Sequence, residues 1–283
     1  MRNAIVPVRL YAVAFALFAV LASNRALSDS LTVLDAADWQ RALGERQMIF
    51  YALDLETDRA VQFAPERLDE RYRPFSTFKI PNLLIALEMG VERNLDSRRT
   101  WDPARRPAQP FWPSAWAEDQ TLRSAFRRSA VWYFREIALD VGGPSYRDWL
   151  NRFDYGNAAA PDANDQFWLV GPLAISVREQ VQFLQRLLTD QLSIQAPSLA
   201  ALKEASGLDQ RQDLILHGKT GSGPVTDDMD GAFQGWLVGW VERSEQRPVI
   251  FALFVEGPSF SSIRTFRLDM SRRLLIEAGF WPS

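Results

Sequence analysis

The stretch Phe75-Ser76-Thr77-Phe78-Lys79-Ile80-Pro81-Asn82 leads into an apolar run, Ile80 to Met89, that reads as a buried helix. Ser76 stands where the helix N-terminus falls, and Pro81 suits a first turn. At i and i+3 the Ser76 hydroxyl and the Lys79 amine share a helix face. A hydroxyl there sits near unpaired backbone N–H groups and the positive end of the helix dipole, which favour developing negative charge. A serine activated by a neighbouring amine is one route to covalent acyl transfer. The competing reading is an N-cap serine with a snorkelling lysine, and Ser-x-x-Lys arises about once by chance in a chain of this size. The motif therefore needs company.

Lysine usage supplies some. Of the 32 basic residues only Lys79, Lys203 and Lys219 are lysines, so arginine is the default cation of this chain. Arginine keeps its proton in a protein, whereas a buried lysine can become a neutral amine. Lysines that persist against such a background are candidates for positions that need an amine. The absence of cysteine excludes disulfides, thiol catalysis and thiolate metal sites. A single histidine, His217, excludes a multi-histidine zinc site and counts against a Ser-His-Asp triad. Any serine nucleophile must then rely on lysine. No metal is expected.

The length allows one large domain or two modest ones with ample core. Residues 1–22 read as an export signal. Arg2 and Arg9 form the basic part, Leu10 to Ala22 the apolar part, and cleavage falls after Ala22 or as late as Ala26. The apolar run is too short for a membrane span, and no second one follows. Without cysteine there is no lipid anchor. Export to the periplasm without stable membrane insertion is the expectation. Removing the two arginines takes the formal charge from −3 to −5, which disfavours nucleic acid as a partner.

Along the chain, Gln47–Glu56 and Ala60–Ala64 read as a hairpin leading to the Ser76 helix. The pattern from there to about Ser206 is helical. Asp102–Trp116, with four prolines and two tryptophans, forms a loop or lid, and Thr121–Val141 is expected as one long helix. Ser176–Leu188 is an amphipathic helix with a Ser176/Glu179 capping box. Three strands follow at Leu214–Ser222, Ala232–Glu242 and Val249–Glu256, then a closing helix, Ile263–Gly279. Strands at both ends with helices between predict an α/β (α+β) fold. An antiparallel sheet built from 27–80 and 208–283 would be flanked by helices, with 81–207 as an inserted helical domain.

Three more short motifs follow Ser76 in order: Ser129-Ala130-Val131, Tyr155-Gly156-Asn157 and Lys219-Thr220-Gly221. Singly, Ser129 reads as a back-bonded helix serine and Tyr155-Gly156-Asn157 as turn chemistry. Lys-Thr-Gly is rarer by composition and uses another of the scarce lysines. The ordered set is far more specific than any member.

On these residues the chain resembles the class D serine β-lactamases, the oxacillinase family, over essentially everything after the signal. Ser-x-x-Lys and Lys-Thr-Gly belong to penicillin-recognising enzymes generally. Val131, Tyr155-Gly156-Asn157 and the segment Trp168-Leu169 with Gly171-Pro172-Leu173 point to class D within them. The resemblance implies hydrolysis of the β-lactam amide of penicillins and related antibiotics through a serine acyl-enzyme, and hence antibiotic resistance. It makes Ser76 the nucleophile and Lys79 the general base in N-carboxylated form, with CO2 or bicarbonate needed but no metal or organic cofactor. Phe78, Val131, Phe134, Trp168 and Leu169 would cage that group, with Trp168 donating its indole N–H. Ser129 would relay a proton to the lactam nitrogen. Lys219, Thr220 and Gly221, with Arg264, would cradle the substrate carboxylate. The backbone N–H groups of Ser76 and Ser222 would form the oxyanion hole, and Tyr155 would lie on the substrate side. Arg264 rests on spacing after Lys219-Thr220-Gly221 alone. His217 reads as a structural strand residue.

Two alternatives share the resemblance. One is a penicillin-binding transpeptidase or carboxypeptidase, which forms the same acyl-enzyme without hydrolysing it quickly; Val131 and the missing anchor count against it. The other is a β-lactam sensor domain. Such sensors belong to larger membrane proteins, whereas this chain, opening on a signal and ending at Ser283, is expected to be an enzyme in itself. Oligomeric state and preferred β-lactam are not legible.

Overall fold

Strand-forming segments from both ends of the chain meet in one seven-stranded sheet. The structure, a computed structural model, describes residues 30–226 and 228–283; the expected export signal lies outside the described residues. The strands are β1 (Leu31–Val33), β2 (Gln47–Asp54), β3 (Ala60–Phe63), β4 (Gly207–Arg211), β5 (Leu214–Pro224), β6 (Phe233–Arg243) and β7 (Val249–Gly257). Their spatial order is β1-β3-β2-β7-β6-β5-β4. Every neighbouring pair is antiparallel except β1–β3, which runs parallel with Leu31 opposite Ala60. The sheet is therefore mixed at one edge, a departure from the antiparallel expectation. A three-residue edge strand with every residue exposed carries no hydrophobic alternation to announce it.

Both faces of the central strands are buried, which explains why β6 and β7 read as continuous apolar runs. On one face lie α1 (Ala36–Leu43), α8 (Phe260–Arg264) and α9 (Phe266–Glu277), bringing Trp39, Ile263, Met270 and Leu274 against Phe50, Leu237, Phe251 and Leu253. On the other lie α2 (Lys79–Glu88) and α6 (Val177–Leu188), with Val181 and Leu184 in one core with Ile49, Ile250 and Phe254. Helix α6 starts as expected, from a Ser176/Glu179 capping box. Its place on β2 and β7 shows that the 81–207 segment is not wholly an insertion apart from the sheet. The two-residue pairing of Arg71–Tyr72 with Ile175–Ser176 delivers the chain to that position.

The remaining helices are α3 (Leu122–Arg128), α4 (Val131–Val141), α5 (Gly143–Phe153) and α7 (Ala196–Ser206). The single helix expected over 121–141 is broken between α3 and α4. Ser129 ends α3 in a left-handed conformation (φ +63°), its N–H returning to Ala125 and Phe126 carbonyls. Apolar periodicity runs through the break because Ala130 and the flanking turns stay in the core. The closing helix is likewise split at Thr265. Among the described residues no helix is long and apolar enough to cross a membrane.

Helix α2 is the hub. Eight of its residues, Lys79 to Ala86, are buried. Leu83, Leu84 and Ile85 each contribute about 1.5–3 kcal/mol of burial, which offsets the cost of placing Lys79 and Asn82 in the core. Tyr146 on α5 satisfies the Asn82 oxygen by donating its hydroxyl to Oδ1 at 2.8 Å, while Asn82 Nδ2 has no partner among the described residues.

Candidate active site

Ser76 lies not in α2 itself but in the tight 3-10 turn Phe75–Phe78 that precedes it. Phe75 opens this turn with φ +47°, a left-handed value that costs a bulky side chain about 1–3 kcal/mol. Three contacts hold the turn. Phe75 donates its N–H to the Trp168 carbonyl at 3.1 Å. Thr77 Oγ1 donates to the Pro74 carbonyl at 2.7 Å and accepts from Gln180 of α6 at 3.2 Å. Strand β5 presses against it so closely that a Cβ on Gly221 would stand 2.7 Å from the Pro74 oxygen, and one on Gly223 2.1 Å from the Phe75 ring. Only glycine fits at either place. The backbone of β5 beside Ser222 thereby comes up to Ser76, the arrangement an oxyanion hole requires.

Ser76 is half-buried and Lys79 fully buried. Lys79 donates from Nζ to Ser76 Oγ at 2.8 Å, its one hydrogen bond among the described residues. The Phe134 ring centroid is 5.2 Å from Nζ. Burial, then the nearby Lys219 charge, pushes the Lys79 amine well below its ordinary pKa. A neutral amine beside a serine hydroxyl is a base in place.

Of the residues expected to cage it, Phe134 faces Nζ and two others pack on each other. Phe78, the residue before Lys79, stacks on the Trp168 indole with centroids 5.1 Å apart. Phe78, Phe134 and Trp168 are fully buried, while Val131 and Leu169 are half-buried. Trp168 Nε1 is buried without a hydrogen-bond partner among the described residues. An orphaned indole N–H costs about 1–3 kcal/mol unless something accepts from it. An oxygen acceptor carried on Lys79 is what this donor set fits.

The second dyad lies across the cleft. Lys219 on β5 donates from Nζ to Ser129 Oγ at 2.9 Å and to the Thr220 carbonyl at 3.1 Å. It too is buried, with the Phe126 ring 5.8 Å away. Burial, then the Arg267 charge, lowers its pKa to about 7. The left-handed turn at Ser129 aims its hydroxyl at Lys219, which a helical serine would not do. Thr220 and Ser222 are half-buried beside this dyad, as a substrate-facing strand edge should be.

One expectation needs correction, and one arginine joins the site. Tyr155 is fully buried, its ring against Phe78 and Phe183 at 6.0 and 5.1 Å, so it underpins the cage and does not face substrate. Arg264 is exposed at the end of α8. The arginine that reaches the Lys219-Thr220-Gly221 strand is Arg267, three residues on, whose Nη1 donates to the Gly221 carbonyl at 2.7 Å. Arg267 is 8% exposed with its Nε unpartnered, and burial followed by the Arg264 charge lowers its pKa to about 10. Spacing after Lys219 leads to Arg264 and passes over Arg267. The useful signal was amphipathic phase: Arg267 falls in register with buried Ile263, Met270 and Leu274.

His217 is structural, as expected. Its ring stacks on Trp240 at 4.7 Å, with Nδ1 3.2 Å from Ser206 Oγ and Nε2 3.2 Å from Glu242. Among the described residues no three His, Cys, Asp or Glu side chains cluster to hold a metal.

Comparisons with known proteins agree with this geometry. The family profile of the penicillin binding protein transpeptidase domain matches residues 45–268. Beta-lactamase OXA-15 of Pseudomonas aeruginosa is 34% identical over 256 residues, covering 89% of this chain and 87% of the relative. Among solved structures, the class D beta-lactamase FUS-1 (OXA-85) of Fusobacterium nucleatum subsp. polymorphum superposes with TM-score 0.76 at 31% identity, covering 86% of this chain and 96% of its own. The C-terminal domain of the Bacillus licheniformis BlaR penicillin-receptor superposes with TM-score 0.78 at 25% identity, covering 89% and 98%. With two serine–lysine pairs whose amines are near enough to act on each other, and relatives of this kind matched over most of its length, the chain belongs to the class D β-lactamases.

Proposed function

We propose that this protein hydrolyses the amide of β-lactam antibiotics through an acyl-enzyme on Ser76, with Lys79 N-carboxylated by CO2 or bicarbonate. The observation that carries the reading is a fully buried Lys79 amine 2.8 Å from Ser76 Oγ, together with a buried Trp168 indole N–H, stacked on the neighbouring Phe78, that has no acceptor among the described residues. CO2 bound at Nζ supplies an anionic oxygen base and the missing acceptor together. Phe78, Val131, Phe134, Trp168 and Leu169 are the residues to hold it.

Ser76 Oγ attacks the lactam carbonyl and gives up its proton, and the ring C–N bond breaks to leave an ester on Ser76. The carbonyl oxygen gains charge against the backbone N–H groups of Ser76 and Ser222. The released nitrogen takes its proton from Ser129, which is resupplied by Lys219 at 2.9 Å. Water then attacks the ester, its proton leaves on the Lys79 side, and Ser76 is regenerated. The substrate carboxylate rests on Thr220 and Lys219, with the Arg267 charge behind the strand.

The substrate is a small molecule, and metal or organic cofactors have no part in the scheme. The segment 1–22 exports the enzyme to the periplasm, where these antibiotics meet their targets. Turnover of a chromogenic cephalosporin by CO2-depleted enzyme, with and without bicarbonate, is the test. Bicarbonate should restore full turnover, and Trp168→Phe should raise the bicarbonate needed. A penicilloyl adduct that forms but does not turn over would instead assign the chain a receptor or transpeptidase role.

A further inference from the structure

Phe134 stands on α4 and Trp168 on the turn after Asp165, and outside both lies the proline- and tryptophan-rich lid. One ion network joins them. Arg106 of the lid donates from Nε to Glu136 of α4 and from Nη2 to Asp165 of the turn, both at 2.7 Å. Arg135, next to Phe134, grips Asp165 with two parallel bonds of 3.0 Å. Arg106, Glu136 and Asp165 side chains are 12%, 14% and 15% exposed. That sets the network apart from solvent-screened surface pairs. Trp101 adds a 2.9 Å bond from its indole to the Arg106 carbonyl.

Asp165 is three residues before Trp168, whose carbonyl takes the Phe75 N–H beside the nucleophile. The Trp168 ring is thus held from one side by the nucleophile turn and from the other through Asp165. Nothing in the hydrolytic scheme uses Arg106 or Asp165, yet they fix the position of the side chain that closes the cage.

We infer that Arg106 and Asp165 are positioning residues for the carboxylation of Lys79: the Arg106–Asp165–Arg135 strap holds Trp168 over the amine. Without it the turn loosens, water enters, and Lys79 keeps its proton instead of taking CO2. Arg106 also bridges two carboxylates with one planar guanidinium, which a lysine cannot copy. The strap therefore couples the lid to the chemical state of the base. This inference rests on the carboxylated-lysine reading above.

The test is the bicarbonate concentration for half-carboxylation of Lys79, read by the 13C signal of labelled bicarbonate on full-length folded enzyme. Asp165→Asn, which keeps the shape and removes the charge, and Arg106→Lys should each raise that midpoint by roughly tenfold or more, the scale seen when outer partners of a bound group are removed. Saturating bicarbonate should return kcat to the wild-type value. Arg147→Ala, which cuts an exposed ion pair to Asp162 in the same turn but not the strap, should leave the midpoint unchanged. If Asp165→Asn unfolds, Arg106→Lys carries the measurement. Variants that lose thermal stability but keep a midpoint within twofold of wild type overturn the inference and leave the carboxylation reading intact. No label on the wild-type lysine overturns both.

Discussion

Lys219 Nζ donates to Ser129 Oγ at 2.9 Å, joining the sheet to the break between α3 and α4. The contact exists because Ser129 adopts φ +63° and leaves the helix that its apolar neighbours would otherwise continue. A lysine whose pKa is lowered to about 7 exchanges a proton with that hydroxyl at little cost near neutrality.

Ser129→Gly tests this relay without the ambiguity of an unfolded variant. Glycine accepts the left-handed conformation more readily than serine, so the turn should persist and Tm should hold or rise. Turnover should fall by roughly 10²–10⁴-fold, the scale of a lost general acid. A variant within a few-fold of wild-type kcat/KM would remove Ser129 from the proton path.

Ser76→Ala should abolish covalent labelling by penicillins, because no other nucleophile stands at the turn that β5 packs against. Intact-protein mass spectrometry reads the result directly. A normal penicilloyl adduct on the variant would mean that the whole site is assigned wrongly.

Arg267 and Arg264 make a paired test. Arg267 is buried and bonded to the Gly221 carbonyl, whereas Arg264 is exposed. Arg267→Ala should cost about 2–3 kcal/mol in kcat/KM, the scale of a charge-assisted contact, and Arg264→Ala clearly less. Losing the Arg267 charge also removes one of the two causes that lower the Lys219 pKa. The pH–rate limb set by Lys219 should then move to higher pH. Equal losses from both variants, with no shift of that limb, would return the carboxylate to the exposed arginine.

The sequence made this site legible in proportion to how local each signal is. Ser76 and Lys79 are read from their i, i+3 spacing, which survives although a 3-10 turn carries the serine, and Lys219 and the capping box at Ser176 are read within one element each. The break at Ser129 was hidden because buried residues continue on both sides of it, so periodicity reports burial and not the backbone path. Tyr155 illustrates the converse. A Tyr-Gly-Asn turn looks like a loop on the substrate side, but its ring lies wholly in the core. The strap was invisible because Arg106, Arg135 and Asp165 are ordinary surface residues until three separate elements bring them together.

The last prediction turns on the cost of burying Lys79. Burial pushes its amine's pKa well below 10.5 in the fold, whereas the unfolded chain holds the proton up to about that value. Between those two pKa values the unfolded state binds one more proton, so stability rises with pH across the window, by at most about 1.4 kcal/mol per pH unit. At pH 7 in CO2-depleted buffer the wild-type protein therefore carries a penalty. Lys79→Met, unbranched and uncharged, removes it. The variant should be inactive yet have the higher Tm at pH 7, with the gap narrowing toward pH 10. Lys219 titrates in both proteins and cancels in the difference. Bicarbonate should raise the wild-type Tm, since it binds the native state alone, and leave that of the variant unchanged. Lys79→Arg should show neither the stability gain nor any activity, because arginine stays charged in the cage. Equal Tm values for wild type and Lys79→Met across this range, unmoved by bicarbonate, would mean that the amine is not held neutral and that Ser76 is activated by another group.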